Sequence, residues 1–249
     1  VLQRNILQKI IELLQSKFHL VFLYDLLFYL DRMIESCISS FLFSLWNSQR
    51  YCDLQIFVKE KTFHLHKAIL FVRCPKLLEY SSIETSPRAF ELMCLFLYTN
   101  SLQEKNHKKE TVEITTLVDL CELAQKFSLP DLEGLSRQEI NSKLRPENLF
   151  QILQICCEKN MPEIVKDCLF YRKKNQDQIK ASSEDIVALS KFPHVIANLV
   201  SNTPVNEPPI QQVTPRPLQD MMKELYETKK YTDFELIVHG KKIQFHKCI

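Results

Sequence analysis

Residues 51–69 and 231–249 are one stretch written twice. YCDLQIFVKEKTFHLHKAI and YTDFELIVHGKKIQFHKCI align without a gap at an offset of 180 residues. Tyr51/Tyr231, Asp53/Asp233, Val58/Val238, Lys61/Lys241, His66/His246, Lys67/Lys247 and Ile69/Ile249 are identical pairs. Apolar character is kept at Leu54/Phe234, Ile56/Leu236, Phe57/Ile237, Phe63/Ile243 and Leu65/Phe245. A match this regular marks a duplicated unit, and its local physics is a β-hairpin running into a helix. Leu54–Val58 is a β-branched and aromatic run of one-strand length. His239-Gly240 is a tight-turn signal where the first copy has Lys59-Glu60-Lys61. Phe63 and Leu65, like Ile243 and Phe245, alternate with polar residues, so each hairpin is expected to bury one face. His66-Lys67 then opens a helix, with Ile69 and Leu70 packing down.

The pattern Y-x-D-h-x-h-x-V-x-x-K-x-h-x-h-H-K-x-I, with h apolar, resembles the start of a BTB (POZ) domain. The resemblance implies an interaction module in which a strand hairpin is carried on a helical bundle. It also implies that Asp53, His66 and Lys67, and their counterparts Asp233, His246 and Lys247, are structural rather than catalytic.

Composition removes several classes of function. Lys and Arg number 32 against 30 Asp and Glu, which leaves no electrostatic footprint for nucleic acid or an anionic membrane. Gly134 and Gly240 are the only glycines, so phosphate-cradling loops are absent and short-turned helices are favoured. Nine cysteines, an odd number without a CxxC pair, point to a reducing, intracellular compartment, cytoplasmic or nuclear.

Val1–Ser16 reads as an amphipathic helix. Phe18–Trp46 is more apolar, but Asp25, Asp31, Arg32 and Glu35 break it below the length of a membrane span. The expectation is a run of buried or partner-facing helices, where BTB domains place a dimerisation helix; its counterpart in the second copy is Pro217–Lys230. Core packing and an oligomer interface both remain open for Phe41, Phe43, Leu45 and Trp46. Ser86-Pro87 caps a further helix with Phe90, Met93, Cys94, Phe96 and Leu97 as its stripe. Leu97-Tyr98-Thr99 matches the family's closing motif, with Asn100 where glycine is usual. Only 15 residues, 71 to 85, stand where the family carries a further helix and a strand, so the first BTB unit is abridged.

Helical spacing continues through Val112–Ser128 and from Pro130. RPENLFQILQICCEKNMPEIVKDCLFYRKKN, from Arg145, spells two helices that resemble the opening of a BACK domain, the helical extension that commonly follows BTB. Ser182 caps another helix and Pro193 opens a last one. SNTPVNEPPIQQVTPRP, residues 201–217, is proline-dense and reads as a semi-extended linker unable to join a core.

The expected fold is α+β and predominantly helical. Its parts are a helical segment (1–39), an abridged BTB/POZ domain (40–102), a BACK-like helical domain (103–201), a linker (202–217) and the start of a second BTB/POZ domain (218–249). The whole is expected to be a fragment of a longer product. BTB, BACK, linker and BTB in this order are similar to the leucine-zipper-like regulator proteins. That resemblance implies a non-enzymatic adaptor that oligomerises and joins a cullin scaffold to a substrate protein, with no cofactor. An oligomerising scaffold in transcription or the cytoskeleton, without a ligase link, is the alternative. His64, His66 and Cys74 match no zinc spacing. Ser81 or Ser82 with His66 and Asp53 lacks the strained elbow of a hydrolase.

Overall fold

The computed structural model describes residues 32–103, 112–179, 181–200, 213–238 and 241–247. In both copies the repeated stretch forms a two-stranded antiparallel hairpin. β1 (Leu54–Val58) pairs with β2 (Lys61–Leu65), Leu54 opposite Leu65 and Val58 opposite Lys61. β3 (Phe234–Val238) and β4 (Lys241–Phe245) pair in the same register, Phe234 opposite Phe245. Lys59 adopts φ 52°, the left-handed conformation a two-residue hairpin turn demands.

A helix leads into each hairpin. The first, α1, spans residues 32–48. The chain then leaves it through two left-handed residues, Gln49 (φ 51°) and Tyr51 (φ 61°). Lys229 (φ 49°) and Tyr231 (φ 60°) repeat that exit 180 residues later. The duplication is therefore one of backbone geometry as well as sequence.

Ile56, Val58, Phe63 and Leu65 point to one face of the first hairpin and are buried. Phe63 meets the edge of Phe90 at 4.8 Å, on α3 (Pro87–Thr99). The sequence shows a stripe on α3, yet Ala89, Leu92, Leu95 and Tyr98 are buried as well. Neighbours surround it: the hairpin, α2 (Lys67–Arg73) and α4 (Ile114–Lys126). Side chains of Leu size buried this completely each contribute roughly 1.5–3 kcal/mol, which makes α3 the axis of the core. Pro87 starts it, and Asn100, at φ 59°, ends it in the left-handed conformation.

The short segment 71–85 supplies a short helix and an isolated backbone bridge. A 3-10 helix at Pro75–Glu79 buries Leu77. The Phe57 amide donates to the Ser81 carbonyl (2.9 Å), and the Ile83 amide to the Phe57 carbonyl (2.9 Å). That parallel bridge adds a third chain to the hairpin without a strand of its own.

After α4 come α5 (Pro130–Lys143), α6 (Leu149–Glu158), α7 (Pro162–Lys174), α8 (Ser183–Leu189) and α9 (Pro193–Val200). Proline at the first turn starts α5 and α7. Ser182 and Asp185 form a reciprocal capping box at α8. α5 is tied to α7 through Asp167, whose carboxylate accepts from Nη2 (2.6 Å) and Nε of Arg137 and from Asn141 Nδ2 (2.9 Å). The fold is α+β and mostly helical, as read from the sequence.

Two packing contacts were not legible in the sequence. At the end of the proline-dense stretch, Val213 lies on Gly134 of α5. A Cβ there would come within 2.3 Å of its Cγ2, so the bare glycine backbone makes room. Residues 201–212 of the expected linker lie outside the described residues, as do the helix read at 1–16 and the part of the apolar run before residue 32. Second, α10 (Leu218–Thr228) packs on α2 of the first unit. Among the described residues, no helix is long and apolar enough to cross a membrane.

Candidate interaction surface

Asp53 and His66 lock the hairpin to the helix that follows. Asp53 N–H donates to the Leu65 carbonyl (3.1 Å), and its Oδ1 accepts from the Lys67 amide (2.7 Å), satisfying a first-turn donor of α2. His66 is buried and held from both sides. Its Nε2 lies 2.7 Å from the Arg50 carbonyl, which can only accept, so Nε2 carries the proton. Nδ1 then accepts from the Tyr98 hydroxyl (2.8 Å), and that hydroxyl accepts from the His66 amide (3.1 Å). Burial pushes the imidazole pKa down, outweighing the pull upward from the Arg50 carbonyl and the Asp53 charge. This neutral, fully bonded histidine is a fastener. Tyr98, visible in sequence only as part of a closing motif, is the partner that completes it.

The second copy repeats the aspartate bonds and the Nε2 bond of the fastener, without a counterpart of Tyr98 among the described residues. Asp233 N–H donates to the Phe245 carbonyl (3.0 Å), Asp233 Oδ1 accepts from the Lys247 amide (2.7 Å), and His246 Nε2 donates to the Lys230 carbonyl (2.6 Å). The expected buried face does not follow. Phe234, Leu236, Ile243 and Phe245 are exposed, because α10 packs on the first unit and no described helix stands where α3 stands in the first copy.

The four apolar residues near the hairpin separate. Leu45 lies in the chain's own core beside Leu42. Trp46 packs its ring 6.3 Å from Tyr98, and Phe43 sets its edge on Trp46 at 6.1 Å. Phe41 is open to solvent, 46% exposed, with Ile34 and Met33 exposed about two turns before it.

α10 sits in a polar and aromatic frame that the sequence did not disclose. The Glu35 carboxylate on α1 accepts from the amides of Leu218 (2.8 and 2.9 Å) and Gln219 (3.4 Å), an acidic cap on a helix N-terminus. Asn100 Nδ2 donates to Glu35 Oε1 (3.2 Å) and to the Arg216 carbonyl (2.8 Å). Beneath it, Arg73 donates from Nε to the Leu97 carbonyl (3.1 Å) and from Nη2 to Asn100 Oδ1, closing the C-terminal end of α3. Burial pulls that guanidinium down to about 10, still charged at neutral pH. Tyr231 tilts against Phe71 at 5.6 Å, and Lys230 lies over the same ring at 4.6 Å.

Burial raises the thiols of Cys52, Cys74 and Cys157 to about 11 and those of Cys121 and Cys156 to about 12. Ser81 and Ser82 sit at the bridge to Phe57, while both ring nitrogens of His66 are engaged elsewhere. No three metal-ligating side chains converge among the described residues.

Residues 42–144 match the profile of the BTB/POZ domain. The match runs past residue 102 and takes in α4 and α5. Human BTB/POZ domain-containing protein 9 is 24% identical over 157 residues, covering 57% of this chain and 25% of that protein. Human leucine-zipper-like transcriptional regulator 1 is 21% identical over 257 residues, covering 82% of this chain and 30% of that protein. The chain thus spans about a quarter to a third of the length of these relatives. Among solved structures, the BTB domain of zebrafish PATZ1 is similar at TM-score 0.35 and 18% identity, covering 45% of this chain and 94% of that one.

Proposed function

Given that the chain carries a BTB/POZ domain, a protein-interaction module, over residues 42–144, we propose that it belongs to a non-enzymatic substrate adaptor for a cullin-type ubiquitin ligase. The observation that carries this reading is the repeated hairpin-and-fastener unit, two docking platforms in one chain. Its mechanism is proximity: holding a substrate protein and a cullin scaffold on one body raises the local concentration of substrate lysines at the ligase. The domain division proposed is BTB over 42–144, a BACK-like bundle from 145 to 201, a linker over 202–217 and a second BTB start over 218–249. The inward pull of Asp167 on Arg137 supports a bundle rigidly joined to the first BTB unit. The unpaired cysteines among the described residues support a reducing, intracellular setting.

The test is co-precipitation of the full-length protein with cullins from cell extract. Recovery of a cullin is expected, reduced by Phe57→Glu on the exposed outer face of β1. Recovery of none would end the adaptor reading. A second reading, an oligomerising scaffold in transcription or the cytoskeleton without a ligase link, is favoured by the bare Ile34–Phe41 edge of α1. It expects self-association and no ubiquitin-dependent loss of any partner.

A further inference from the structure

Residues 213–217, Val-Thr-Pro-Arg-Pro, form a strap that meets the first turns of α5 on its way into α10 and is neither helix nor strand. Val213 and Arg216 hold it down. Val213 lies on Gly134, and the Arg216 amide donates to Asp131 Oδ2 (3.3 Å). The Arg216 carbonyl accepts from Asn100 Nδ2 (2.8 Å), and its guanidinium pairs with Glu224 of α10 (2.8 Å). Thr214 sits between these two holds and is exposed. Pro215 and Pro217 keep the backbone around it extended. Three Ser/Thr-Pro pairs occur in the chain: Ser86-Pro87, Thr203-Pro204 and Thr214-Pro215. A proline-directed kinase needs the hydroxyl accessible and the flanking chain laid out straight. Ser86 is half-buried and its proline already opens α3, so presenting it would unwind the axis of the core. Thr203 lies outside the described residues. Thr214 meets both demands as the protein stands.

We propose that Thr214 is a phosphorylation site for a proline-directed kinase, and that its phosphate loosens the seating of α10 on the first repeat. In the transfer, Thr214 Oγ1 attacks the γ-phosphorus of ATP. An Oγ1–P bond forms, the bond to the β,γ-bridging oxygen breaks, ADP leaves and the hydroxyl proton passes to the base of the kinase. The strap then carries about 1.5–2 extra negative charges. Thr214 is two residues from Arg216, so its Cα lies within about 7 Å of the residue bonded to Asp131. That places the charge roughly one screening length from Asp131 at physiological salt. Asp131 and Glu133 already complement the positive end of α5, which leaves a phosphate there facing like charge. The phosphate also competes with Glu224 for the Arg216 guanidinium, drawing it off α10. Both effects oppose the hold on α10, and neither involves a cullin.

The experiment incubates the 249-residue chain with a mitogen-activated protein kinase and MgATP, places the phosphate by mass spectrometry, and follows amide hydrogen exchange before and after. Phosphate is expected on Thr214, with exchange over Leu218–Thr228 accelerated at least about fivefold and that of α3 unchanged. The acceleration is expected to shrink at high salt, as a charge effect must. Thr214→Val is expected to keep the slow exchange of α10 after the same treatment. Asp131→Asn/Glu133→Gln, which removes the facing carboxylates, is expected to be phosphorylated with a smaller acceleration. Absence of phosphate on Thr214, or its appearance on Ser86 or Thr203 instead, overturns the site. A phosphorylated Thr214 with α10 exchanging as before, or an acceleration indifferent to salt and to the two carboxylates, overturns the mechanism.

Discussion

Tyr98→Phe tests the fastener at its least redundant atom. The substitution keeps the ring, its packing on Trp46 and its burial, and deletes one oxygen. That oxygen accepts from the His66 amide at 3.1 Å and donates to His66 Nδ1 at 2.8 Å. Both partners are buried, and the imidazole cannot turn to find others without giving up the bond from Nε2 to the Arg50 carbonyl at 2.7 Å. Each buried polar group left unpaired costs about 1–3 kcal/mol, so the pair sums to roughly 2–4 kcal/mol after partial relaxation. For a chain of this size that lowers the melting temperature by roughly 5–15 °C. Urea unfolding followed by circular dichroism measures it, with Tyr226→Phe on the exposed edge of α10 as a control expected to change nothing. A Tyr98→Phe loss no larger than the control's would refute the role of the hydroxyl as the buried partner of His66.

The buried imidazole also sets a pH dependence: its folded pKa lies below the unfolded value of about 6.5, so the stability it confers is complete above that pH and is lost as pH falls through the folded value. Melting temperature should decline on acidification from pH 7 to 5 more steeply in wild type than in His66→Gln, and parallel slopes would refute the assignment. Arg137→Met strands the Asp167 carboxylate with Asn141 as its remaining partner and should cost about 3–5 kcal/mol by chemical denaturation. Arg137→Met/Asp167→Leu should recover most of that, and a single variant as benign as the double would refute the staple. Brief iodoacetamide treatment at pH 8, read by mass spectrometry, should label exposed Cys37 well before Cys121 or Cys156, whose thiols stay protonated; equal labelling would contradict their burial.

Strands, turns and helix starts were legible because their causes are local. Alternation fixes β1 and β2, Ser86-Pro87 starts α3, and Asn100 takes the left-handed end. The fastener was half legible: Asp53 and His66 stand out through repetition, but Tyr98 joins them from 32 residues away, and no periodicity announces a bond across that distance. Phe41 and Leu45 carry the same hydrophobicity in the sequence, and only the packing of α1 on α3 assigns one to solvent and the other to the core. The docking of α10 was invisible for a similar reason. Its determinants, Glu35, Asn100 and Phe71, are scattered over three helices and acquire meaning when those helices meet.

The reach of the BTB/POZ profile to residue 144 gives the Arg137–Asp167 pair its significance. The pair spans from α5, inside the matched domain, to α7, beyond it. A surface ion pair would leave the following helices free to swing, since such pairs are worth less than about 1 kcal/mol. Asp167 is 4% exposed, and removing its partner strands a buried charge. Val213 on Gly134 and the Arg216 amide on Asp131 (3.3 Å) draw the approach to α10 onto the same helix, α5. α5 is therefore the hub on which the matched domain, the helical extension and the second repeat converge.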